Sequence, residues 1–455
     1  MIQADTICAL ATAPVNAPIA VIRISGPDVL SAAKTFFSKP TSIAHRNVVH
    51  GAVLHNGAAL DDVILAYYKA PNSYTGEDAA EIFCHGNMLV VRSILDMLHS
   101  LNIRLAEPGE FTKRAFLNGK MDLTEAEAVH SIISAKSKWE VNAALEQMHG
   151  SLKNAVNSLR EKVILLKADI EAGIDFSTED IEFVSLKQTA AAAKQISDDI
   201  SSVLLRCRIG AELSRGIAVS LAGKPNAGKS SILNLLLGRE RAIVSNIPGT
   251  TRDIISEHIQ IAGLQVRISD TAGIGEAAND IERAGIFMSK KNIDEAAIAI
   301  VVLDATRDIN DDDLKVLAAT ENKKRVILIN KTDAAREDET ARLEETVCAK
   351  FGNCIRFSAK TGAGLNDLEH ALAGILTNGV LDIKESFIAT ERIIGLLEES
   401  LASANKTAEL AAVGEQSEII AFELNSLIAS LGEITGEISP EDILDSVFSR
   451  FCIGK

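Results

Sequence analysis

The chain has 455 residues, 47% apolar and 24% charged, a balance that suits roughly two to four packed domains and excludes a disordered polymer. Its formal net charge of -16 argues against a protein that coats nucleic acid through a general positive field, while leaving room for a local basic patch. The six cysteines are scattered without metal-ligand spacing, and even the nearest pair, Cys348 and Cys354, reads as single thiols of a reducing compartment.

The N-terminal stretch MIQADTICALATAPVNAPIAVIRISGP is apolar, but Asp5 and prolines interrupt it and its first basic residue is Arg23. It lacks the basic start of a signal peptide, and no window reaches the length of a membrane span. The expectation is a cytoplasmic protein with no membrane partner. Short apolar runs such as IAVIRIS and DDVILAYY, broken by Gly, Pro and Asn, predict a small α+β domain over residues 1–118. After NGKMDL the pattern turns helical, with Thr124 and Glu127 in capping-box spacing. Leu152, Val156, Leu159, Val163, Leu166 and Ile170 then recur at alternating steps of four and three, predicting an amphipathic bundle helix that ends at Gly173.

From 216 to 378 the runs GIAVSLAG, LQVRISD, AIAIVVLD and RVILIN each end at a polar or glycine position and alternate with helical segments. This predicts a mostly parallel sheet with crossover helices. ERIIGLLEESL and SEIIAFELNSLIASLGEIT return to helix, and Ser439-Pro440-Glu441 predicts a last short helix with Pro at its first position. The expected fold class is multidomain α/β. It has an N-terminal α+β domain, an all-α helical domain split into 119–215 and 379–455, and a P-loop domain inserted at 216–378.

The strongest chemistry is GKPNAGKS, Gly223 to Ser230, lying between a predicted strand and the helical SILNLLLG that opens at Ser231. A glycine-rich loop in that context lets the backbone N–H groups around Asn226, Ala227 and Gly228 close on phosphate oxygens. Lys229 reaches the β and γ phosphates, and the Ser230 hydroxyl ligates Mg²⁺. DTAG (Asp270, Thr271, Ala272, Gly273) ends the next strand and brings a carboxylate towards the magnesium. NKTD places Asn330, Lys331 and Asp333 at a later strand end, where Asp333 can accept from guanine N1–H and the 2-amino group that adenine lacks. SAK (Ser358, Ala359, Lys360) follows the last strand. Four such elements in this order predict a GTPase. Thr250 and Thr251 in GTTRD are candidates for the switch threonine, with Thr251 taken as the second Mg²⁺ ligand. The position after DTAG is Ile274, which cannot orient water as a glutamine there does. On the residues alone, Glu276, Asp280 and Glu282 read as exposed acids, and Arg252 and Arg283 as solvated charges.

Taken together these residues resemble the MnmE (TrmE) family of tRNA-uridine modification GTPases. Beyond the nucleotide motifs, the resemblance rests on RISGP, SYTGEDAAEIFCHG, PGEFTKRAFLNGKMDLTEAEAV, IERAGI and the terminal FCIGK, and it covers nearly the whole chain. It implies that the N-terminal domain binds tetrahydrofolate and makes a homodimer. It also implies GTP hydrolysis switched on when two G domains meet around K⁺. The family's K⁺ ligands fall on the P-loop asparagine, Asn226, and on Ser245, Ile247 and Thr250 of a loop, Ser245 to Thr251, that also carries Asn246, Pro248 and Gly249. The water-orienting glutamate falls on Glu282. One departure is Gly275, where an arginine is often found soon after DTAG.

The resemblance places folate contacts on Arg23, Glu81, Lys120 and Lys455, with 5-formyl- or 5,10-methylene-tetrahydrofolate as the one-carbon donor. It implies a partner, the FAD protein MnmG (GidA), in a heterotetramer or larger. The two together make 5-aminomethyl or 5-carboxymethylaminomethyl uridine at the tRNA wobble position. The terminal CIGK is a poor prenylation box, and Cys452 has no neighbouring metal ligand. By resemblance the tail instead reaches the folate pocket, where the Cys452 thiolate is a candidate for attack on uridine C6. A ribosome-assembly GTPase switch is the rival reading. It would place an RNA-binding module after the G domain, and no GXXG loop stands there.

Overall fold

The computed structural model describes residues 5–175, 185–240, 256–261, 263–270, 294, 296–352, 354–378, 385–438 and 440–455. Two compact units result. One comprises Met1–Ile133, Leu145–Ser201 and Gly395–Lys455, and the other Ser134–Ala144 and Ser202–Ile394.

In the first unit, β1 (Ile7–Leu10), β2 (Ala17–Ser25), β3 (Val48–His55), β4 (Ala58–Tyr68), β5 (Ala79–Gly86) and β6 (Arg104–Leu105) form one sheet. Its order is β3-β4-β5-β2-β1-β6, antiparallel except where β1 meets β6. Alternation along β2 divides the residues between faces. Ala20, Ile22 and Ile24 join a core with Ile82, Ile94 and Leu98, under helices α1 (Val29–Phe36) and α2 (Met88–Ser100). Arg23 therefore projects from the other face, in register with Glu81 of β5.

Helix α3 (Glu110–Leu117) supplies Phe111 to a smaller cluster with Ile7, Ala9 and Tyr74. It also carries Arg114, a buried guanidinium that donates to Asp5 at 2.6 Å, Glu110 at 2.9 Å and Glu77 at 3.3 Å. Arg104 shares both Asp5 and Glu110, each at 2.6 Å. Removing one member of so buried a group leaves an unpaired charge.

Helix α4 spans Leu123–Ser134, and its box lies two residues earlier than the sequence suggests. Asp122 Oδ1 accepts the Glu125 N–H at 2.9 Å, and Glu125 returns the bond to the Asp122 N–H at 2.8 Å. Thr124, fully buried, instead donates to Asp122. Helices α5 (Lys138–Met148) and α6 (Ser151–Asp175) follow. The expected seam of α6 is buried, from Leu152 to Ile170, but the helix runs through Gly173, since a mid-helix glycine costs only about 1 kcal/mol. Helix α7 is Leu186–Arg215.

The second unit contains β7 (Ile217–Ala222), α8 (Lys229–Glu240), β8 (Ser256–Ile261), β9 (Leu264–Asp270), β10 (Ile298–Asp304), α9 (Asp311–Ala319), β11 (Lys324–Asn330), α10 (Glu337–Phe351), β12 (Cys354–Arg356) and α11 (Leu365–Asn378). The sheet order is β12-β11-β10-β7-β9-β8. Only β8 is antiparallel, paired to β9. The strand β10 is buried throughout, as a central parallel strand covered on both faces must be. Ile298, Ile300 and Val302 pack with Ile232 and Leu368, and Val301 and Leu303 with Val316 and Val347. Cys348 and Cys354 are joined as a disulfide, which corrects the reading of every cysteine as a single thiol.

Back in the first unit, α12 (Glu391–Val413) enters from Gly395 onward, and α13 (Ser417–Thr435) packs along α6. The last helix, α14 (Glu441–Phe448), has Pro440 at its cap rather than in its first turn. Its Leu444 and Phe448 join Phe451, Leu123 and Val129 in a cluster that ties the C-terminus to α4. Among the described residues no helix is long and apolar enough to cross a membrane.

The Arg114 cluster makes a prediction about acid. Burial alone would raise the Glu110 carboxyl, but hydrogen bonds from Arg104, the Glu107 N–H and Arg114 outweigh it and hold it below its ordinary 4.5. A lowered folded-state value contributes stability above 4.5 that drains away as pH falls through the lower value. Glu110→Gln should therefore melt below the parent at neutral pH, with the gap closing as pH falls beneath 4.5. Thermal melts followed by circular dichroism across that range measure it, and a gap that does not change with pH contradicts the assignment.

Candidate functional site: nucleotide loops and an N-terminal cavity

The nucleotide motifs gather at the C-terminal edge of the parallel sheet, where open α/β sheets bind ligands. The loop from Gly223 to Gly228 leaves β7 and turns into α8 at Lys229. Asn226 (φ 61°) and Gly228 (φ 104°) both sit in the left-handed region. At Gly228 a side chain is impossible on two counts, since an added Cβ would also lie 2.1 Å from Asn330 Nδ2. Lys229, buried, donates its ammonium to the carbonyls of Gly223 at 2.8 Å and Lys224 at 3.1 Å. Ala227 is buried, and Ser230 and Ser231 are exposed in the first turn of α8. The positive end of that helix faces the loop, a setting suited to phosphate.

The NKTD and SAK loops meet at Asn330, the last residue of β11. Its Nδ2 donates to the Ala227 carbonyl at 2.8 Å, and its Oδ1 accepts the Ala359 N–H at 3.0 Å. One buried amide thus fastens the P-loop, NKTD and SAK together. Ser358 donates to Asp333 Oδ1 at 2.6 Å and accepts the Thr361 N–H, so the exposed Asp333 carboxylate is held at the rim by a fixed partner. Lys331, at φ 67°, sends its ammonium to Asp304 Oδ2 at 2.7 Å. Burial would raise the Asp304 carboxyl, but bonds from Lys331 and Thr306 prevail and lower it. Lys360 is exposed beside them.

Asp270 ends β9 in register with Leu221 of β7, one strand from the P-loop. Ser230 and Asp270 are hard oxygen donors of the type Mg²⁺ takes. Ser245, Asn246, Ile247, Pro248, Gly249, Thr250, Thr251, Thr271, Ala272, Gly273, Gly275 and Glu282 lie outside the described residues.

In the first unit Arg23 is the centre of a second site. Its Nε and NH2 donate to Glu81 Oε1 at 3.1 and 2.9 Å, and NH1 reaches the Gly454 carbonyl at 3.5 Å. The guanidinium also lies over the rings of Tyr74, at 5.3 Å, and Phe111, at 5.8 Å, contacts that favour a cation. A cavity of about 200 Å³ opens here, lined by Arg23, Ser25, Tyr68, Tyr74, Thr75 and Glu81 among others.

The C-terminal tail is seated by Gly454 (φ 93°), whose Cβ position would fall 2.4 Å from the Leu10 carbonyl. Lys455 is half-buried, its ammonium pushed down by burial and by Arg23, with Glu81 and Cys452 opposing. Cys452 is exposed, and its carbonyl accepts the Lys455 N–H. Lys120 stands on the outer side, donating to the Pro71 carbonyl at 3.0 Å. It does not line the cavity, but it holds the loop that carries Asn72, Ser73 and Tyr74.

Sequence reasoning missed several participants. Tyr74 and Thr75 lie inside SYTGEDAAE, and Phe111 inside PGEFTKRAF, so their positions were marked while their roles were not. Ser25 donates to Glu77 at 2.8 Å and meets Thr75 at 2.6 Å, which links the cavity wall to Arg114. Lys224, Asp304 and Asp313 carry no motif signal of their own.

The Asp333 geometry sets a test of base choice. Asp333→Asn replaces an acceptor by an amide and should weaken GDP binding on the order of tenfold or more. Discrimination against the hypoxanthine nucleotide, which lacks the 2-amino group, should shrink in parallel. Titration with fluorescent nucleotides measures both, and unchanged affinity would contradict the role.

Residues 6–120 match the family described as GTP-binding protein TrmE N-terminus, and residues 123–452 match the MnmE helical domain. A tRNA modification GTPase MnmE from Alkaliphilus oremlandii is 38% identical over 459 residues, covering 99% of both chains. One from Thermotoga petrophila is 39% identical over 463 residues, covering 99% of this chain and all of its own. Among solved structures, Aquifex aeolicus Era bound to GDP and AlF4- is 25% identical over 41% of this chain and 65% of that one, with a TM-score of 0.31. Full-length identity at this level, together with the nucleotide loops described above, places the chain in the MnmE family of tRNA modification GTPases.

Proposed function

We propose that the chain couples K⁺-dependent GTP hydrolysis to modification of the tRNA wobble uridine. It would act in the cytoplasm as a homodimer with the FAD protein MnmG (GidA), in a heterotetramer or larger. The observation that carries this reading is the pairing, in one chain, of guanine-nucleotide loops with a cavity built on Arg23 and Glu81 and reached by the tail. In hydrolysis Lys229 binds the β and γ phosphates, Ser230 and Thr251 hold Mg²⁺, and Asn226, Ser245, Ile247 and Thr250 hold K⁺. The bound cations supply the charge that offsets negative charge developing on the phosphates. Glu282 orients the attacking water, the work that Ile274 cannot do.

In the cavity, both Arg23 bonds fall on Glu81 Oε1, so Oε2 keeps acceptor capacity for the N–H edge of a pterin. Lys120 and Lys455 pair with the glutamate tail of the folate, and Arg23, between Tyr74 and Phe111, fixes the carboxylate that reads the ring. The folate supplies a one-carbon unit, and FAD on the partner the redox step. The Cys452 thiolate adds to uridine C6, sends the electron pair toward C5 for bond formation with the carbon, and leaves when the C5 proton is lost.

Two measurements decide the reading. GTP turnover by the full chain should be much faster in K⁺ than in Na⁺ at equal ionic strength, and equal rates would sink the cation assignment. Mass analysis of tRNA from cells lacking the gene should show unmodified wobble uridines, restored by the parent and not by Arg23→Ala. Full restoration by that variant would remove the cavity from the reaction.

A further inference from the structure

The P-loop lysine Lys229 is held by two carbonyls, and one of them belongs to Lys224. That carbonyl accepts the Lys229 ammonium at 3.1 Å and also the Ala227 N–H at 3.3 Å. The side chain of Lys224 turns the opposite way. Its ammonium donates at 2.8 Å to Asp313 Oδ2, and both residues are more than nine-tenths buried. Asp313 is the third residue of α9, where it forms a capping box with Asn310. Its Oδ2 also takes the Asn310 N–H at 3.2 Å, while Oδ1 is buried with no hydrogen-bond partner among the described residues.

A helix cap alone needs neither a lysine nor so complete a burial of the carboxylate. We propose that Lys224 and Asp313 are positioning residues for GTP binding: their buried ion pair anchors residue 224 to α9, and so fixes the carbonyl that aims Lys229 at the phosphates. The pair touches neither base nor phosphate. It acts through the main chain, on the phosphate end of the site, because the base end is also held by bonds that residue 224 does not share, from Ser358 to Asp333 and from the Ala359 N–H to Asn330. That separation distinguishes positioning from general support. Loosening residue 224 should weaken every phosphate-bearing guanine nucleotide and leave the choice of base alone.

The test uses the full chain and titration with fluorescent GDP and its hypoxanthine analogue, alongside thermal melts. Lys224→Met strands the Asp313 carboxylate, so it should lower Tm and weaken GDP about tenfold or more, with the ratio of GDP to hypoxanthine-nucleotide affinity unchanged. The double variant Lys224→Met with Asp313→Leu replaces the ion pair by apolar volume. Its Tm should recover while GDP affinity stays low, because no bond then holds residue 224 to α9. Recovery of affinity together with Tm would show the pair to be structural only and overturn the proposal. Where Lys224→Met is too unstable to titrate, Lys224→Arg and Asp313→Asn decide. Arginine keeps the charge and should bind GDP within about twofold of the parent, whereas Asp313→Asn should bind it several-fold more weakly. Asp313→Asn binding as well as the parent would likewise overturn the proposal.

Discussion

The nucleotide site depends on the side-chain amide of Asn330. β11 delivers it to the edge of the sheet, and its two ends join loops that begin on three different strands. An amide suits this position because it carries a donor and an acceptor on one rigid plane. An aspartate would lose the donor to Ala227, and a leucine would leave a carbonyl and an N–H unpaired in a buried place, at about 1–3 kcal/mol each. Gly228 follows from the same contact, since the amide occupies the space where any Cβ at that position would stand. The left-handed turn, the glycine and the asparagine are one constraint written at separate places in the chain.

The N-terminal unit solves a different problem, that of keeping a cation beside a cavity in a protein of net charge -16. Beyond a Debye length of about 8 Å the general field is screened at physiological salt, so only adjacent groups decide the local charge. Arg23 is kept in place by the Glu81 carboxylate in register across β2 and β5, by two aromatic rings, and by a tail carbonyl. Arg114 and Arg104 in turn pair with Asp5, Glu77 and Glu110. The run PGEFTKRAF therefore supplies three kinds of part in a single turn of helix: the Glu110 carboxylate, the Phe111 ring and the Arg114 guanidinium. Its density of charged residues reflects a buried network, and the run meets the cavity lining through Phe111, beside Arg23, and Thr112, bonded to Tyr74.

What was legible in the sequence follows from how far each interaction reaches along the chain. Four strands of the second unit, β7, β9, β10 and β11, were plain because each is a short apolar run that stops at a polar or glycine position and alternates with helical segments. The β8 strand was missed. It is an antiparallel edge beside β9, and SEHIQI offers too few apolar residues to mark it. At α4, Asp122 and Thr124 both stand three residues before a glutamate, so spacing offered two boxes. Burial chose between them, since Leu123 and Thr124 are wholly enclosed and only Asp122 is placed to cap. At Gly173 the helix continues because one glycine outside the left-handed region is a weak stop.

The same argument explains why the motifs reported one half of the P-loop and concealed the other. A loop whose N–H groups surround phosphate closes on itself within a few residues, so its needs appear as fixed spacing, and Gly228 and Lys229 are conspicuous. Lys224 occupies an open position of that spacing, where any residue satisfies the pattern. Its partner lies 89 residues later in another helix, and a side-chain ion pair between two elements imposes no period on either. The signal for such a residue is physical rather than patterned. An ammonium and a carboxylate are taken almost wholly out of water at a cost of several kcal/mol per ion. That cost is offset by the attraction within the pair at 2.8 Å and by the Asn310 N–H bond, and what the pair fixes is the position of one carbonyl beside the Lys229 ammonium.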